Sequence, residues 1–149
     1  MSDALAHRGP DGHGLHVDGP CGLAHRRLRV RGDCPQPFVR PGLALAYNGE
    51  LYEPPPPGSD TETVLDLYER HGTGMFGRMN GMFALALWDQ GRRRLILARD
   101  RFGEKPLYWA RAGTGVLVAS EPKAFLRAGR LSVDAVGLSE RRNLQLTLG

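Results

Sequence analysis

Residues 80–99 read N-G-M-F-A-L-A-L-W-D-Q-G-R-R-R-L-I-L-A-R. Met82 to Trp88 is apolar at every position, with the length of a strand buried on both faces rather than that of a helix. Asp89-Gln90-Gly91-Arg92 has turn chemistry, and Arg94 to Arg99 carries Leu95, Ile96 and Leu97 back. The stretch therefore predicts an antiparallel hairpin. Downstream, Pro106 to Arg111 and Val116 to Ser120 read as strands joined by a turn at Gly113-Thr114-Gly115, and a helix is expected over Glu121 to Ala128. The tail from Leu131 to Gly149 has weak periodicity and reads as the start of a further region.

Upstream, a short helix is expected from Gly74 to Met79, stopping before Asn80-Gly81. The clearest helix starts at Ser59 or Asp60. Glu62 stands three residues after Ser59 as in a capping box, Val64, Leu65, Leu67 and Tyr68 form one face, and His71-Gly72 closes it. Glu53 to Ser59, E-P-P-P-P-G-S, reads as a stiff extended connector, because proline lacks the N–H that a helix or central strand needs. Gly14 to Asp18, Gly22 to Leu28 and Leu43 to Asn48 read as strands, the last ending at Asn48-Gly49, a turn signal. Hairpin-linked strands set apart from helices predict an α+β fold, a sandwich of mostly antiparallel sheets flanked by helices.

Composition narrows the classes. The 149 residues are 41% apolar and 24% charged, values of an ordinary globular chain. No run approaches a membrane span, and no signal peptide is read at the N-terminus, so a cytoplasmic protein without membrane contact is expected. Two cysteines, Cys21 and Cys34, do not make a disulfide framework. The net charge of +4 lies in residues 59–149, where basic side chains interleave with acidic ones and no aromatic ladder accompanies them; nucleic acid is not an expected partner. His7, His13, His16, Cys21 and His25 crowd one segment but match no metal-ligand spacing, and no metal is expected. Gly9, Gly12 and Gly14 do not sit between a strand and a helix as a phosphate loop requires.

Three features carry chemistry. Asn48-Gly49-Glu50 is either a plain turn or an amide side chain beside a glycine N–H that share one oxyanion. Arg27 offers a planar fork for a carboxylate and Asp60 a point charge for an ammonium, a pairing suited to a zwitterionic amino acid.

The motifs H-R-G-P-D (7–11), G-L-A-H-R-R-L (22–28), Q-P (36–37), N-G-E-L-Y (48–52), S-D-T-E (59–62), N-G-M-F-A-L-A-L-W-D (80–89), A-R-D-R-F-G-E-K-P-L-Y (98–108) and S-E-P-K-A (120–124) stand in one order. Together, over residues 1 to about 130, they resemble the class II glutamine amidotransferase domain of glutamine-dependent asparagine synthetase, of the N-terminal-nucleophile hydrolase fold. The resemblance implies a domain over 1–130, with 131–149 beginning a synthetase region that the chain does not contain. It implies an N-terminal cysteine that attacks the glutamine amide, with its own α-amine as base, forming a thioester and releasing ammonia. Arg27 would hold the α-carboxylate, with Leu28, Arg29, Val30 and Arg31 lining the pocket. Asn48 and Gly49 would form the oxyanion hole, and Glu50 and Asp60 would hold the α-amino end. Glutamine is the implied partner, with a separate synthetase domain or a second copy as further ones. No cofactor is expected in this chain, since ATP and magnesium belong to the synthetase domain.

The chain departs from the pattern where the nucleophile should be. The resemblance places a strand beginning Met-Cys-Gly, and then a helix, before His7; here Met1-Ser2 opens the chain six residues ahead of it. Neither Cys21 nor Cys34 carries a free α-amine. Pro54 to Gly58 replaces a helix and strand, and Arg29 and Arg31 replace a serine and an acidic or apolar residue. Two readings stand: a glutaminase domain supplying ammonia, inactive as 149 residues, or a non-catalytic module that binds glutamine or docks a partner.

Overall fold

A computed structural model describes residues 1–29, 34–53 and 58–128. In chain order the strands are β1 (Gly12–Asp18), β2 (Cys21–Arg27), β3 (Phe38–Arg40), β4 (Leu43–Glu53), β5 (Asn80–Asp89), β6 (Arg94–Arg99), β7 (Tyr108–Ala112) and β8 (Gly115–Ala119). The α-helices are α1 (Asp60–His71) and α2 (Lys123–Leu126), and 3-10 helices cover Ser2–Arg8 and Gly72–Arg78. All pairings between these strands are antiparallel: β1 with β2, β7 with β8, and a central sheet in the order β3-β4-β5-β6. The mixed α+β class with antiparallel sheets stands as expected.

The unbroken apolar run of β5 is explained by burial on both sides. One face of the central sheet sets Leu45, Tyr47, Leu51, Phe83, Leu85, Leu87 and Ile96 against Val64, Leu65 and Tyr68 of α1 and against Met75. The other sets Ala44, Trp88, Ala86 and Leu95 against Cys21 and Leu23 of β2. Each large aliphatic side chain so buried contributes about 1.5–3 kcal/mol.

Buried carboxylates close both ends of the β5–β6 hairpin. Asp89 accepts from the Tyr68 hydroxyl at 2.7 Å, the Arg92 N–H at 2.9 Å and the Arg92 guanidinium at 2.8 Å. Asp100 accepts from the main-chain N–H groups of Lys105 at 3.0 Å, Glu104 at 2.9 Å, Phe83 at 3.2 Å and Phe102 at 3.0 Å. Asp18 takes the Trp88 indole N–H at 2.7 Å, tying β1 to β5. The capping box of α1 is present in full: Ser59 Oγ accepts from the Glu62 N–H, and the Glu62 carboxylate accepts from the Ser59 N–H.

Several expectations are corrected. Asn48-Gly49 is not a turn: β4 runs through it to Glu53, pairing Asn48 with Ala84 and Gly49 with Phe83. Glycine is there for close approach, since a Cβ on Gly49 would collide with the Met82 carbonyl and Phe83 Cα. The helix expected over Gly74 to Met79 is a 3-10 helix over Gly72–Arg78, in a segment whose glycines at 72, 74 and 77 disfavour α-helix. The helix expected over Glu121 to Ala128 shortens to one turn, Lys123–Leu126. Strand β3, between Pro37 and Pro41, shows no alternation long enough to read. The residues ahead of His7 are ordered as 3-10 helix. The prolines at 54–57 and the tail from 129 lie outside the described residues.

The Lys105, Glu104, Phe83 and Phe102 N–H groups outweigh the opposing effect of burial and hold the Asp100 carboxyl down to about 2. A carboxylate depressed below its unfolded value stabilises the fold above that value, and the contribution is lost as pH falls through the folded one. Asp100→Asn is therefore expected to lower the melting temperature at pH 7 and to flatten its decline between about pH 4 and pH 2. Thermal melts followed by circular dichroism across that range check it.

Candidate functional site

A cavity of about 1450 Å³ lies between the central sheet, the β1–β2 hairpin and the β7–β8 hairpin. Its walls include Ala46, Ala84 and Ala86 of the central sheet, the length of β2 and Val116 to Ala119 of β8. Among the described residues β2 pairs only with β1 within the sheets, and β8 only with β7, and residues of both strands line this space.

Arg27, Leu28, Asn48, Gly49, Glu50 and Asp60 all line the cavity. Arg29 does not; it is exposed, and its N–H donates to Asp11 at 2.8 Å. Val30 and Arg31 lie outside the described residues.

Alternation along the strands delivers these groups. On β2, Cys21, Leu23, His25 and Arg27 share one face, and the first two pack on the central sheet. On β4, Ala44, Ala46, Asn48 and Glu50 share the facing side. The hydrogen bonds of Phe83 then decide where Gly49 points. The Phe83 N–H donates to the Asp100 carboxylate, and the Phe83 carbonyl accepts the Asp100 N–H at 2.7 Å, both on the β6 side. Gly49 and Phe83 therefore form a non-hydrogen-bonded pair, and the Gly49 N–H turns away from β5. It faces the outer edge of β4, which β3 covers only as far as Leu45. Two residues earlier on that edge, the Tyr47 N–H donates to Gln36 Oε1 at 2.7 Å.

Gln36 has a second role. Its Nε2 donates to Thr61 Oγ1 at 3.5 Å, so one side chain ties the strand before Asn48 to the helix beginning at Asp60. The Q-P motif marked it in the sequence, but a bridge between two elements leaves no periodic signature. Asp60 is the first residue of α1, where a carboxylate is favoured by the helix dipole and the capping box fixes the backbone.

Burial, and then the charge of Arg27, push His25 down to about 4, so its ring is neutral at pH 7 and Arg27 keeps its positive field. Burial and then Asp18 push the Cys21 thiol up, the opposite of what a nucleophile needs. Cys34 is half-buried, its Sγ 3.8 Å from the Pro35 carbonyl. Among the described residues no group of His, Cys, Asp and Glu has a metal-holding arrangement. The H-R-G-P-D and S-E-P-K-A motifs meet at the surface: His7 Nε2 lies 3.1 Å from Glu121 Oε1, the Arg8 guanidinium donates to the Ser120 carbonyl at 3.3 Å, and Lys123 Nζ pairs with Glu121 at 3.0 Å.

Comparison with known proteins gives this arrangement a family. A model described as the glutamine amidotransferase domain matches residues 1–54 and 57–147. The chain belongs to the class II glutamine amidotransferase family. It is 34% identical to asparagine synthetase [glutamine-hydrolyzing] 2 of Bacillus subtilis over 84% of this chain and 19% of that protein. It is 38% identical to amidase chry2 of Gibberella zeae, over 85% of this chain and 22% of that protein. It is 39% identical to asparagine synthetase [glutamine-hydrolyzing] 3 of Arabidopsis thaliana, over 84% of this chain and 24% of that protein. The amidotransferase domain thus spans about a fifth to a quarter of the length of the curated relatives it matches.

Gly49→Ala tests the packing of the site. The added methyl meets backbone of β5 rather than a movable side chain. The expected destabilisation is about 1–3 kcal/mol, or more if the strands part. Urea denaturation of the variant beside the parent measures it.

Proposed function

We propose that this chain is the glutamine-binding part of a glutaminase of asparagine-synthetase type, with an N-terminal-nucleophile sandwich, and that it hydrolyses glutamine when a cysteine-bearing strand enters the cleft. The observation that carries the reading is that Arg27, Asn48, Gly49, Glu50 and Asp60, from three separate elements, line one cavity. Arg27 takes the α-carboxylate through its fork, and Glu50 and Asp60 take the ammonium. The Asn48 side-chain amide and the outward Gly49 N–H stabilise the oxygen that gains negative charge as a thiolate adds to the side-chain carbonyl. Neutral His25 avoids a second cation beside Arg27.

The nucleophile is the part that these residues do not supply. Cys21 has a raised pKa and Cys34 is not N-terminal. The edges of β2 and β8 offer main-chain partners on two sides to a strand that brings one. Ammonia supply to a synthetase domain fits the names of the Bacillus and Arabidopsis relatives.

Two measurements test the proposal. Arg27→Ala is expected to weaken glutamine binding by about 1.5–3 kcal/mol, the worth of a hydrogen bond to a charged group, whereas Arg92→Ala, in the β5–β6 turn, leaves it unchanged. Calorimetric titration decides, and equal affinities would remove Arg27 from the site. A protein that carries a Met-Cys-Gly strand and a following helix ahead of Met1 is expected to release glutamate from glutamine. In that extended protein Asn48→Ala is expected to lower turnover at saturating glutamine about 100- to 1,000-fold. Equal turnover would show that Asn48 does not hold the oxyanion.

A further inference from the structure

Tyr47 stands one residue before the Asn48–Gly49 pair, 3% exposed, and its hydroxyl is the buried side-chain polar atom left without a hydrogen-bond partner among the described residues. Buried hydroxyls are normally satisfied, because an unmet donor forfeits its bond to water without replacement. The same core shows the rule being kept: the Tyr68 hydroxyl, equally buried, donates to Asp89 at 2.7 Å.

The surroundings of Tyr47 indicate what the hydroxyl is for. Alternation places its ring on the α1 side of the central sheet, among Leu45, Val64 and Leu65. Asp60 begins α1 on that side. Burial first, and then the charges of Asp60 and Glu50 and the neighbouring Tyr52, push the phenol further above its ordinary range, and it is a protonated donor. Of the two carboxylates, Glu50 alternates to the opposite face of β4, whereas Asp60 begins the helix packed on the ring's own side. The Tyr47 backbone is fixed by Gln36, which also holds Thr61 beside Asp60.

We propose that Tyr47 is a positioning residue for the amino end of the bound amino acid: its hydroxyl donates to the Asp60 carboxylate once the ligand's ammonium is in place, fixing that carboxylate against the ammonium. This rests on the glutamine reading above. Asp60 keeps its other interactions, since a carboxylate accepts up to about four hydrogen bonds. The orphan hydroxyl of the ligand-free protein is then satisfied by binding, and selectivity for a free α-amino group follows.

The test titrates the whole chain and its Tyr47→Phe variant with glutamine and with 4-carbamoylbutanoate, which is glutamine without its amino group. Phenylalanine keeps the ring and removes only the hydroxyl, and a thermal melt at or above the parent's confirms an intact fold. Tyr47→Phe is expected to bind glutamine about tenfold more weakly while its affinity for the des-amino analogue stays within about twofold of the parent. In an Asp60→Asn background the same substitution is expected to add no further loss for glutamine. Unchanged glutamine affinity, equal loss for both ligands, or a full additional loss beside Asp60→Asn would each overturn the inference while leaving the glutamine reading intact. Failure of the parent to bind glutamine at all would overturn the reading and the inference together.

Discussion

Strands β4 and β5 meet through two glycines, and the placement of the site follows from that contact. Gly49 lies opposite Phe83 and Gly81 opposite Leu51, and a Cβ on either would strike the facing backbone. With the strands this close, Phe83 spends its main-chain groups on Asp100, and Gly49 must point its N–H away from β5. Asn48, one residue earlier, then faces the cleft. One pairing thus orients a side-chain amide and a main-chain donor independently of any loop. The Asp100 carboxylate that secures the arrangement does not itself line the cavity, yet it sets the hydrogen-bonding phase of the strand beside it.

The two faces of the central sheet do different work because their residues differ in size. Toward α1 the side chains are leucine, tyrosine and phenylalanine, which fill the space beneath the helix. Toward the hairpins β4 and β5 carry Ala44, Ala46, Ala84 and Ala86, with Trp88 at one end beneath Cys21 and Leu23. Small side chains leave the other end open, and it is there that Asn48 and Glu50 stand. The cleft is a volume the sequence declines to fill, bounded by a core packed on its opposite side.

Much of the fold was legible. The apolar run 82–88 and the return at 94–99 specify a hairpin buried on both faces, and Ser59 with Glu62 specifies where α1 begins. What misled was the double meaning of glycine. Asn48-Gly49 has the composition of a turn, but its glycine serves close packing between strands, a tertiary demand that local sequence does not encode. Strand β3, three residues between prolines, has too little pattern to read. Of the site, Arg27, Asn48, Glu50 and Asp60 were visible as residue types, while their convergence came from the order of motifs and not from periodicity. Arg29 follows the end of β2, where the strand's alternation no longer sets direction, and its N–H turns to Asp11; Gln36 and Tyr47 matter through contacts between elements distant in sequence.

The walls of the cleft are not equally firm, and the division matches the roles assigned to them. Asn48, Gly49 and Glu50 belong to a four-stranded sheet with a continuous core behind it. Arg27 belongs to a two-stranded hairpin, a unit that is marginal alone. That hairpin is joined to the region beyond β8 through the N-terminal 3-10 helix: Arg26 bonds Ser2 and pairs with Asp3, while Arg8 and His7 reach Ser120 and Glu121. Exposed ion pairs of this kind contribute about 0–1 kcal/mol each, and Met1 and Leu5 add apolar contact with the β8–α2 cluster. The wall proposed to grip the α-carboxylate is anchored to the central sheet at its Asp18 and Cys21 end, with Arg27 at the other, whereas the proposed oxyanion donors are fixed by strand pairing. Preorganisation matters most at the second position, because a donor that had to move into place would surrender in reorganisation what it returns in stabilising the oxyanion. A clamp for a full, permanent charge tolerates adjustment, since the ligand's carboxylate itself draws the guanidinium into register.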